Sequence, residues 1–137
     1  MSNRRPRAMQ VNLSYRKLDD AAAVHLMRWL LPQRSRITKL TLHFNKIRQI
    51  PDCIGELRNL EELNLSYNLL TELPESMGRL KKLRILTLQH NGITYLPSCI
   101  ALLPAIQALD LYKNPLTFPP AEVVELGLEE IQSYLLE

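Results

Sequence analysis

Histidine, cysteine and acidic residues are the side chains of this sequence that could hold a metal ion or carry out catalysis. The three histidines are His25, His43 and His90, and the two cysteines are Cys53 and Cys99. None of them stands in a CxxC or HxxxH spacing, which zinc sites commonly use. The sequence also contains no phosphate-binding glycine loop, no nucleophile elbow and no HExxH motif. We therefore predict no catalytic residue, no metal site and no cofactor, and we do not expect an enzyme.

The spacing of these residues along the chain supports the same conclusion. If each chain segment supplied one strand of a parallel sheet, His43 and His90 would lie two strands apart, about 10 Å, which is too far to share a metal ion. Cys53 and Cys99 are separated in the same way, so a disulfide between them would be overstretched. Glu61, together with Glu62 and Asp110, is best read as part of a solvated face.

Composition places the chain among soluble globular domains. It has 137 residues, of which 46% are hydrophobic and 23% charged, values that fit one folded domain. No apolar run approaches the roughly 18 residues that cross a membrane. Met1 leads into Arg4, Arg5 and Arg7 without the apolar segment of a signal peptide. We therefore expect a cytoplasmic protein, with the nucleus as an alternative.

An internal repeat organises most of the chain. Asn45, Asn68, Asn91 and Asn114 are each 23 residues apart, and the same period separates Pro51, Pro74, Pro97 and Pro120. The repeating pattern is LxxLxLxxNxLxxLPxxIxxLxx, in phase from residue 37 to residue 126. A period of this length is typical of stacked repeat architectures.

This pattern resembles the leucine-rich repeat, specifically the 23-residue intracellular type of Ras-scaffold and Roco-like proteins. Seven apolar positions, one Asn and one Pro recur together in each unit. The resemblance implies an α/β fold, a leucine-rich repeat solenoid that forms a short right-handed superhelix with a parallel sheet on its concave face and helical caps.

Alternation within each LxL segment independently predicts a short strand. Leu63 and Leu65 would point to one face of such a strand, and the residue between them to the other. The turn that follows leaves backbone polar groups inside the coil. An Asn amide both donates and accepts, so Asn45, Asn68, Asn91 and Asn114 are predicted to form a structural ladder that satisfies these groups.

The outer side of each coil carries a proline, and in the first three repeats a glycine or alanine stands four residues after it. Pro51, Pro74, Pro97 and Pro120 lack an amide donor, which suits a segment outside any sheet. Gly55 and Gly78, with Ala101 at the equivalent position, would allow close backbone approach there.

Segments that break the pattern are predicted to cover the two ends, because a solenoid exposes apolar surface at both. We divide the chain into a flexible basic tail (1–8), an N-terminal capping repeat with a helix (9–36), the leucine-rich repeats (37–118) and a C-terminal helical cap (119–137). Two capped ends predict a complete small domain, although the sequence leaves open whether a larger protein continues beyond it.

Residues 9–36 depart from the repeat in two ways. Arg16 stands where the pattern has Asn, and residues 19–31 show helical rather than LPxxI periodicity, with Asp19 or Asp20 as the helix cap. This unit resembles the repeat of ribonuclease-inhibitor proteins. The last segment resembles the closing segment of Roco-like domains, and we expect its apolar residues to face inward: Val123, Leu126, Ile131 and Leu135.

The residues of each strand that the core does not need form columns on the sheet surface. An aromatic ridge beside small polar residues has the composition of a protein-binding hot spot. The predicted protein-binding residues are Tyr15, Thr41, His43, Phe44, Asn64, Tyr67, Thr87, Gln89, His90, Asp110, Tyr112 and Lys113. The alternative is that the rings simply pack against the turns.

Charge is distributed unevenly along the chain. Residues 1–59 contain 12 Lys plus Arg against 4 acidic residues, whereas residues 60–137 contain 5 against 10. Such asymmetry can steer an oppositely charged partner. We predict a non-enzymatic protein–protein interaction module, a scaffold whose partner could be a small GTPase or a signalling or cytoskeletal component. The alternative is an adaptor that contacts nucleic acid or an anionic membrane through its basic N-terminal end. The oligomeric state stays open.

Overall fold

A five-stranded parallel sheet runs along the length of the protein. A computed structural model describes residues 7–137, so Arg4 and Arg5 of the predicted basic tail lie outside the described residues. The strands follow one another in space in the order of the chain. They are β1 (Met9–Asn12), β2 (Ile37–Thr41), β3 (Glu62–Asn64), β4 (Ile85–Thr87) and β5 (Ala108–Asp110).

The 23-residue period fixes the register of this sheet. Leu40 is paired with Leu63, Leu63 with Leu86, and Leu86 with Leu109, so equivalent residues of successive repeats lie side by side. Leu40, Leu63 and Leu86 are fully buried, as the alternation of the LxL segment requires. The first pairing spans a longer unit, and Val11 stands beside Leu40.

Short helical segments form the side of each coil opposite the sheet. They are 3-10 helices at Asp52–Glu56 and Glu75–Arg79 and a single α-helical turn, α2, at Ser98–Ala101. A proline with extended ψ precedes each of them, and its ring removes a backbone donor where no sheet partner is available. Ile54, Met77 and Ile100 point from these segments into the core.

The longest helix, α1 (Asp20–Leu30), belongs to the first coil. Asp19 is its N-cap and accepts a hydrogen bond from the Ala22 amide at 2.9 Å. Asp20 instead accepts from the amides of Arg48 and Gln49 in the next coil, at 2.6 and 3.2 Å. One acidic residue therefore begins the helix, and its neighbour ties the helix to the repeats.

Two helices, α3 (Ala121–Val124) and α4 (Leu128–Leu135), pack at the other end of the described chain. Ile131 is buried against the last coil, and the Gln132 side chain donates to the Ala101 carbonyl at 2.9 Å. Val123 and Leu135 are half-buried, as expected. The expectation for Leu126 was wrong, because 69% of its surface is exposed. Leu126 lies beyond the end of α3, beside Gly127 with a φ of 104°, where the chain turns away.

The core is a continuous row of aliphatic side chains between the sheet and the opposite helical segments. More than half of its members are leucines, and many of these have no exposed surface, including Leu57, Leu60, Leu80 and Leu83. Among residues 7–137, no helix is both long and apolar enough to cross a membrane.

Candidate functional site

A recurring turn follows each of the strands β2 to β5, and each of these turns is built around an asparagine side chain. Asn68 donates through Nδ2 to the carbonyls of Leu42 at 2.9 Å and Leu65 at 3.1 Å, and its Oδ1 accepts from the Ile47 amide at 3.1 Å. Two of these partners belong to the preceding coil. Asn45, Asn91 and Asn114 make the equivalent bonds in their own turns. The four amides therefore connect successive coils as a ladder.

The geometry of this ladder explains why the first coil has Arg16 in place of asparagine. Each amide satisfies backbone groups of the coil before its own, and Asn45 accepts from the amides of Arg16 and Leu18 at 3.1 and 3.0 Å. No described coil precedes the first one. A side-chain amide at position 16 would therefore have no earlier turn to satisfy.

The residue just before each asparagine, and before Arg16 in the first coil, adopts an unusual backbone conformation. Tyr15, Phe44, Tyr67, His90 and Lys113 all have φ between 56° and 59°, in the left-handed region. Such values cost non-glycine residues roughly 1–2 kcal/mol each. The tight turn that the asparagine ladder holds in place imposes this conformation and directs the five side chains along the same edge of the sheet.

Four of these five side chains form a continuous aromatic stack. The ring centroids are 4.6 Å apart for Tyr15 and Phe44, 4.1 Å for Phe44 and Tyr67, and 4.3 Å for Tyr67 and His90, with interplanar angles of 9° to 13°. Tyr15 is 68% exposed and Phe44 38%, so the stack presents its edge to solvent. Stacked pairs contribute about 0.5–1.5 kcal/mol beyond the area they bury, which offsets the backbone cost.

The aromatic stack borders two depressions. One, of about 490 Å³, lies beside the rings and is also lined by the side chains of Lys17, Lys46 and Leu69. The other, of about 350 Å³, lies on the sheet surface, and His43 joins the two because its ring contacts both Tyr15 and Phe44 edge-on. The sheet depression is lined by side chains of the first four strands, among them Lys39, Thr41, Glu62, Asn64, Ile85 and Thr87.

The predicted protein-binding residues differ in their solvent exposure. Thr41 is only 8% exposed and therefore supplies little contact area. Asn64, Thr87, Gln89 and Asp110 are half-buried. Tyr112 is 62% exposed, lies 6.0 Å from the His90 ring and carries the Lys113 ammonium 5.3 Å above its own ring. The structure thus brings the predicted residues together on one surface, which runs from Tyr15 to Tyr112.

Sequence reasoning missed several residues of this surface. Lys39 and Glu62 form an ion pair at 3.4 Å across neighbouring strands, in the floor of the sheet depression. Lys17, Lys46 and Leu69 flank the stack but follow the turn, where the repeat pattern specifies no surface role. Lys39 and Glu62 are one 23-residue period apart and therefore lie side by side on neighbouring strands, and this spacing was the signal that could have identified the ion pair.

The environments of the two cysteines do not activate their thiols. Burial raises the pKa of the Cys53 thiol and of the Cys99 thiol, and neighbouring carboxylates act in the same direction. A raised pKa lowers the thiolate fraction and hence the reactivity of a cysteine. Residues 7–137 contain no group of three or more His, Cys, Asp or Glu side chains placed to hold a metal ion.

Comparison with known proteins agrees with the repeat geometry. Residues 35–93 match the family model described as leucine rich repeat. Residues 35–93 therefore consist of leucine-rich repeats. The prediction of an α/β leucine-rich repeat solenoid is confirmed, since the solved structures that resemble the chain are also leucine-rich repeat proteins.

Three solved structures illustrate the similarity. A leucine-rich repeat protein of Leptospira interrogans is 41% identical over 66% of this chain and 23% of that chain, with a TM-score of 0.61. A chain of the BIR3–SERK2 complex from Arabidopsis thaliana is 29% identical over 69% of this chain and 55% of that chain, with a TM-score of 0.58. The leucine-rich repeat domain of APL1B is 24% identical over 79% of this chain and 32% of that chain, with a TM-score of 0.67, and shows the shared fold alone.

The present chain spans between 23% and 55% of the length of these similar chains. No curated protein matches it. Leucine-rich repeats generally serve as interaction scaffolds, and one of the similar chains comes from a protein complex.

Proposed function

We propose that this protein is a non-enzymatic interaction module that binds a partner protein through the aromatic stack (Tyr15, Phe44, Tyr67 and His90) and the adjoining sheet depression. The observation that carries this proposal is the exposed, preorganised row of rings beside polar side chains. Aromatic residues dominate protein-binding hot spots because they bury a large area with few rotatable bonds. Rings already held by stacking lose little further entropy when they bind.

The surroundings of the stack favour a partner with both apolar and acidic groups. Lys17 and Lys46 flank the rings, and residues 1–59 have an excess of basic over acidic residues. Complementary charge accelerates encounter, while desolvated rings supply most of the affinity. A small GTPase, a signalling protein or a cytoskeletal component remain our proposed partner classes, and a cytoplasmic location and the intracellular repeat type stay predictions.

Comparing single-ring variants would test this function. Proteins captured from a cell lysate by the intact chain are quantified by mass spectrometry, and the same capture is repeated with Tyr67→Ala. We expect that variant to lose the specific partners, because the central ring contacts both Phe44 and His90. Tyr95→Ala is the matched control, since Tyr95 is 50% exposed and stacks on Phe118 away from this surface.

Purified candidate partners would then be titrated against the same variants. A loss of at least about tenfold in affinity for Tyr67→Ala, or about 1.4 kcal/mol, is expected of a hot-spot residue. Equal effects of Tyr67→Ala and Tyr95→Ala would exclude the aromatic stack as the binding surface.

The basic N-terminal end supports a second candidate function as an adaptor for nucleic acid or anionic membrane. Arg7 and Arg34 are exposed there, and Arg36 donates to the Arg7 carbonyl at 3.0 Å. Charge reversal at Arg7 and Arg34 would abolish binding to a DNA duplex or an anionic vesicle under this alternative. It would leave protein capture through the aromatic stack intact, so the two functions can be distinguished.

A further inference from the structure

After β3 and after β4, two backbone amides of one coil donate hydrogen bonds to carbonyls of the next coil. The amides of Leu65 and Tyr67 donate to carbonyls of the next coil at 2.9 Å each, and the equivalent amides of Leu88 and His90 donate at 2.8 and 2.9 Å. In the last coil, these positions belong to Leu111 and Lys113. No residue between 7 and 137 accepts a hydrogen bond from either of these two amides.

The beginning of β5 shows the same incomplete pairing. The Arg84 carbonyl accepts from the amides of Gln107 and Ala108, at 2.8 and 3.0 Å, and the Glu61 carbonyl accepts in the same way from the coil that follows it. The equivalent carbonyl of the last coil belongs to Gln107, and no described amide donates to it. Among residues 7–137, the edge formed by β5 and its flanking residues therefore carries at least two donors and one acceptor without partners, in the spacing that a parallel strand requires.

A groove lies directly beside this edge. It has a volume of about 370 Å³ and separates the last coil from α3 and α4, so the two helices do not seal the end of the sheet. Most of its lining is apolar and comes from both sides, namely Leu109, Leu111, Leu116, Val124, Leu128 and Ile131. Its charged lining residues are Asp110, Glu125 and Lys113, so carboxylates outnumber ammonium groups there.

We propose that this edge binds an extended segment of a partner protein as a sixth parallel strand. Two of its carbonyls, two residues apart, would accept from the amides of Leu111 and Lys113, and its first amides would donate to the Gln107 carbonyl. The residue that supplies the first of those carbonyls would have an apolar residue before it and another after it. These two apolar side chains would point into the groove, as Leu86 and Leu88 point into the core. Strand addition of this kind obtains affinity from main-chain bonds and specificity from alternate side chains.

The charged side chains of the groove determine which residue type of the bound segment fits between its two apolar residues. In this register that residue stands beside Asp110, just as Thr87 does in β4. The ion pair between Lys39 and Glu62, at 3.4 Å, shows that neighbouring strands of this sheet can hold opposite charges side by side. Residues 60–137 have twice as many acidic as basic residues. The segment that fits best is therefore apolar, basic, apolar.

This site is separate from the proposed sheet-surface function. It adjoins the predicted binding residues Asp110, Tyr112 and Lys113, but its lining shares no residue with the aromatic stack or the sheet depression, which carry the proposed function. Binding at one surface can therefore fail while binding at the other persists.

Amide hydrogen exchange measured by nuclear magnetic resonance on the whole chain would test the inference. The probe is an end-blocked peptide of sequence TTLKLT, and the comparison peptide, TTLELT, places a carboxylate beside Asp110. We expect TTLKLT to slow exchange of the Leu111 and Lys113 amides by at least about tenfold, as a newly paired strand does. TTLELT should bind at least about fivefold more weakly because like charges oppose each other across neighbouring strands.

Two variants at exposed alanines would show whether the peptide binds in the groove. Ala121→Phe places a ring in the groove from an exposed position at the start of α3 and is expected to abolish protection. Ala21→Phe makes the same change at an exposed position near the start of α1, at the other end of the molecule, and should leave protection unchanged.

Three results would overturn the inference. One is an absence of protection at Leu111 and Lys113 at millimolar peptide, and another is protection that persists in Ala121→Phe. The third is concentration-dependent protection of these amides without peptide, which would assign the edge to a second copy of the chain.

Discussion

The buried asparagines show how a polar residue can stabilise an apolar coil. The Asn68 side chain has 6% of its surface exposed, yet both of its amide hydrogens and its oxygen are used in hydrogen bonds to backbone groups. Those groups cannot pair with each other, because the turn separates them. The amide therefore replaces water that the core excludes, and it joins two coils with each set of bonds.

Replacing Asn68 with leucine tests this role. The Asn68→Leu variant leaves the Ile47 amide and the Leu42 and Leu65 carbonyls without a partner, and we expect a loss of about 3 kcal/mol in the free energy of unfolding. Asn114→Leu removes equivalent bonds from a turn that is partly exposed, where water can replace them, so its loss should be nearer about 1 kcal/mol. Urea unfolding would measure both values, and equal losses would contradict the explanation by burial.

The short helical segments opposite the sheet set how closely adjacent coils approach. A Cβ atom built on Gly55 would lie 2.5 Å from the Ser76 carbonyl oxygen of the next coil. On Gly78 the nearest atom is instead the Cys99 Cβ, at 3.2 Å. The same position in the third repeat is Ala101, which belongs to an α-helical turn rather than a 3-10 helix. Two elements with equivalent sequence positions therefore tolerate a methyl group differently.

Alanine at these two glycines should reveal the difference. Gly55→Ala forces backbone atoms apart, and we expect it to cost about 2–3 kcal/mol, in the upper part of the range for overpacking. Gly78→Ala meets a side chain that needs to move by only a few tenths of an ångström, so we expect a cost of less than about 1 kcal/mol. Thermal or urea unfolding of the two variants would show the order, and a larger loss for Gly78→Ala would contradict the packing described.

For the secondary-structure elements, the sequence predicts the features that recur with the 23-residue period. It does not predict the features that depend on contacts with a neighbouring coil. The 23-residue period predicts the strands and the pairing of Leu63 with Leu86, because equal spacing places equal residues side by side. The period places Leu126 at the position of the buried Leu80 and Leu103, so it cannot predict that Leu126, which lies beyond the end of α3, is exposed. It also cannot predict the stacking of Tyr67 on His90, which depends on the left-handed φ that both share.

Across the whole molecule, each strand pairs only with the strands of adjacent coils. Stability in such an arrangement is approximately a sum of unit and interface contributions, so the ends can open while the middle stays folded. Basic residues predominate in residues 1–59 and acidic residues in residues 60–137. The molecule thus presents different chemistry at its two ends, and the aromatic stack runs from the first coil, at the basic end, to His90 in the fourth. A change in the C-terminal helices should therefore alter the surface there without altering the stack.

Weakening the C-terminal helices tests this independence. Ile131 is 2% exposed and fixes α4 to the last coil, so Ile131→Ala should destabilise α3 and α4 locally by about 2–4 kcal/mol. Hydrogen exchange measured by mass spectrometry should then accelerate in residues 119–137 and stay unchanged in residues 60–82, which contain Tyr67. Leu136→Ala is the matched control, because Leu136 is 73% exposed and should alter neither region. Faster exchange throughout the chain in Ile131→Ala would mean that the coils unfold as one unit, because loss of a terminal contact would then destabilise every interface.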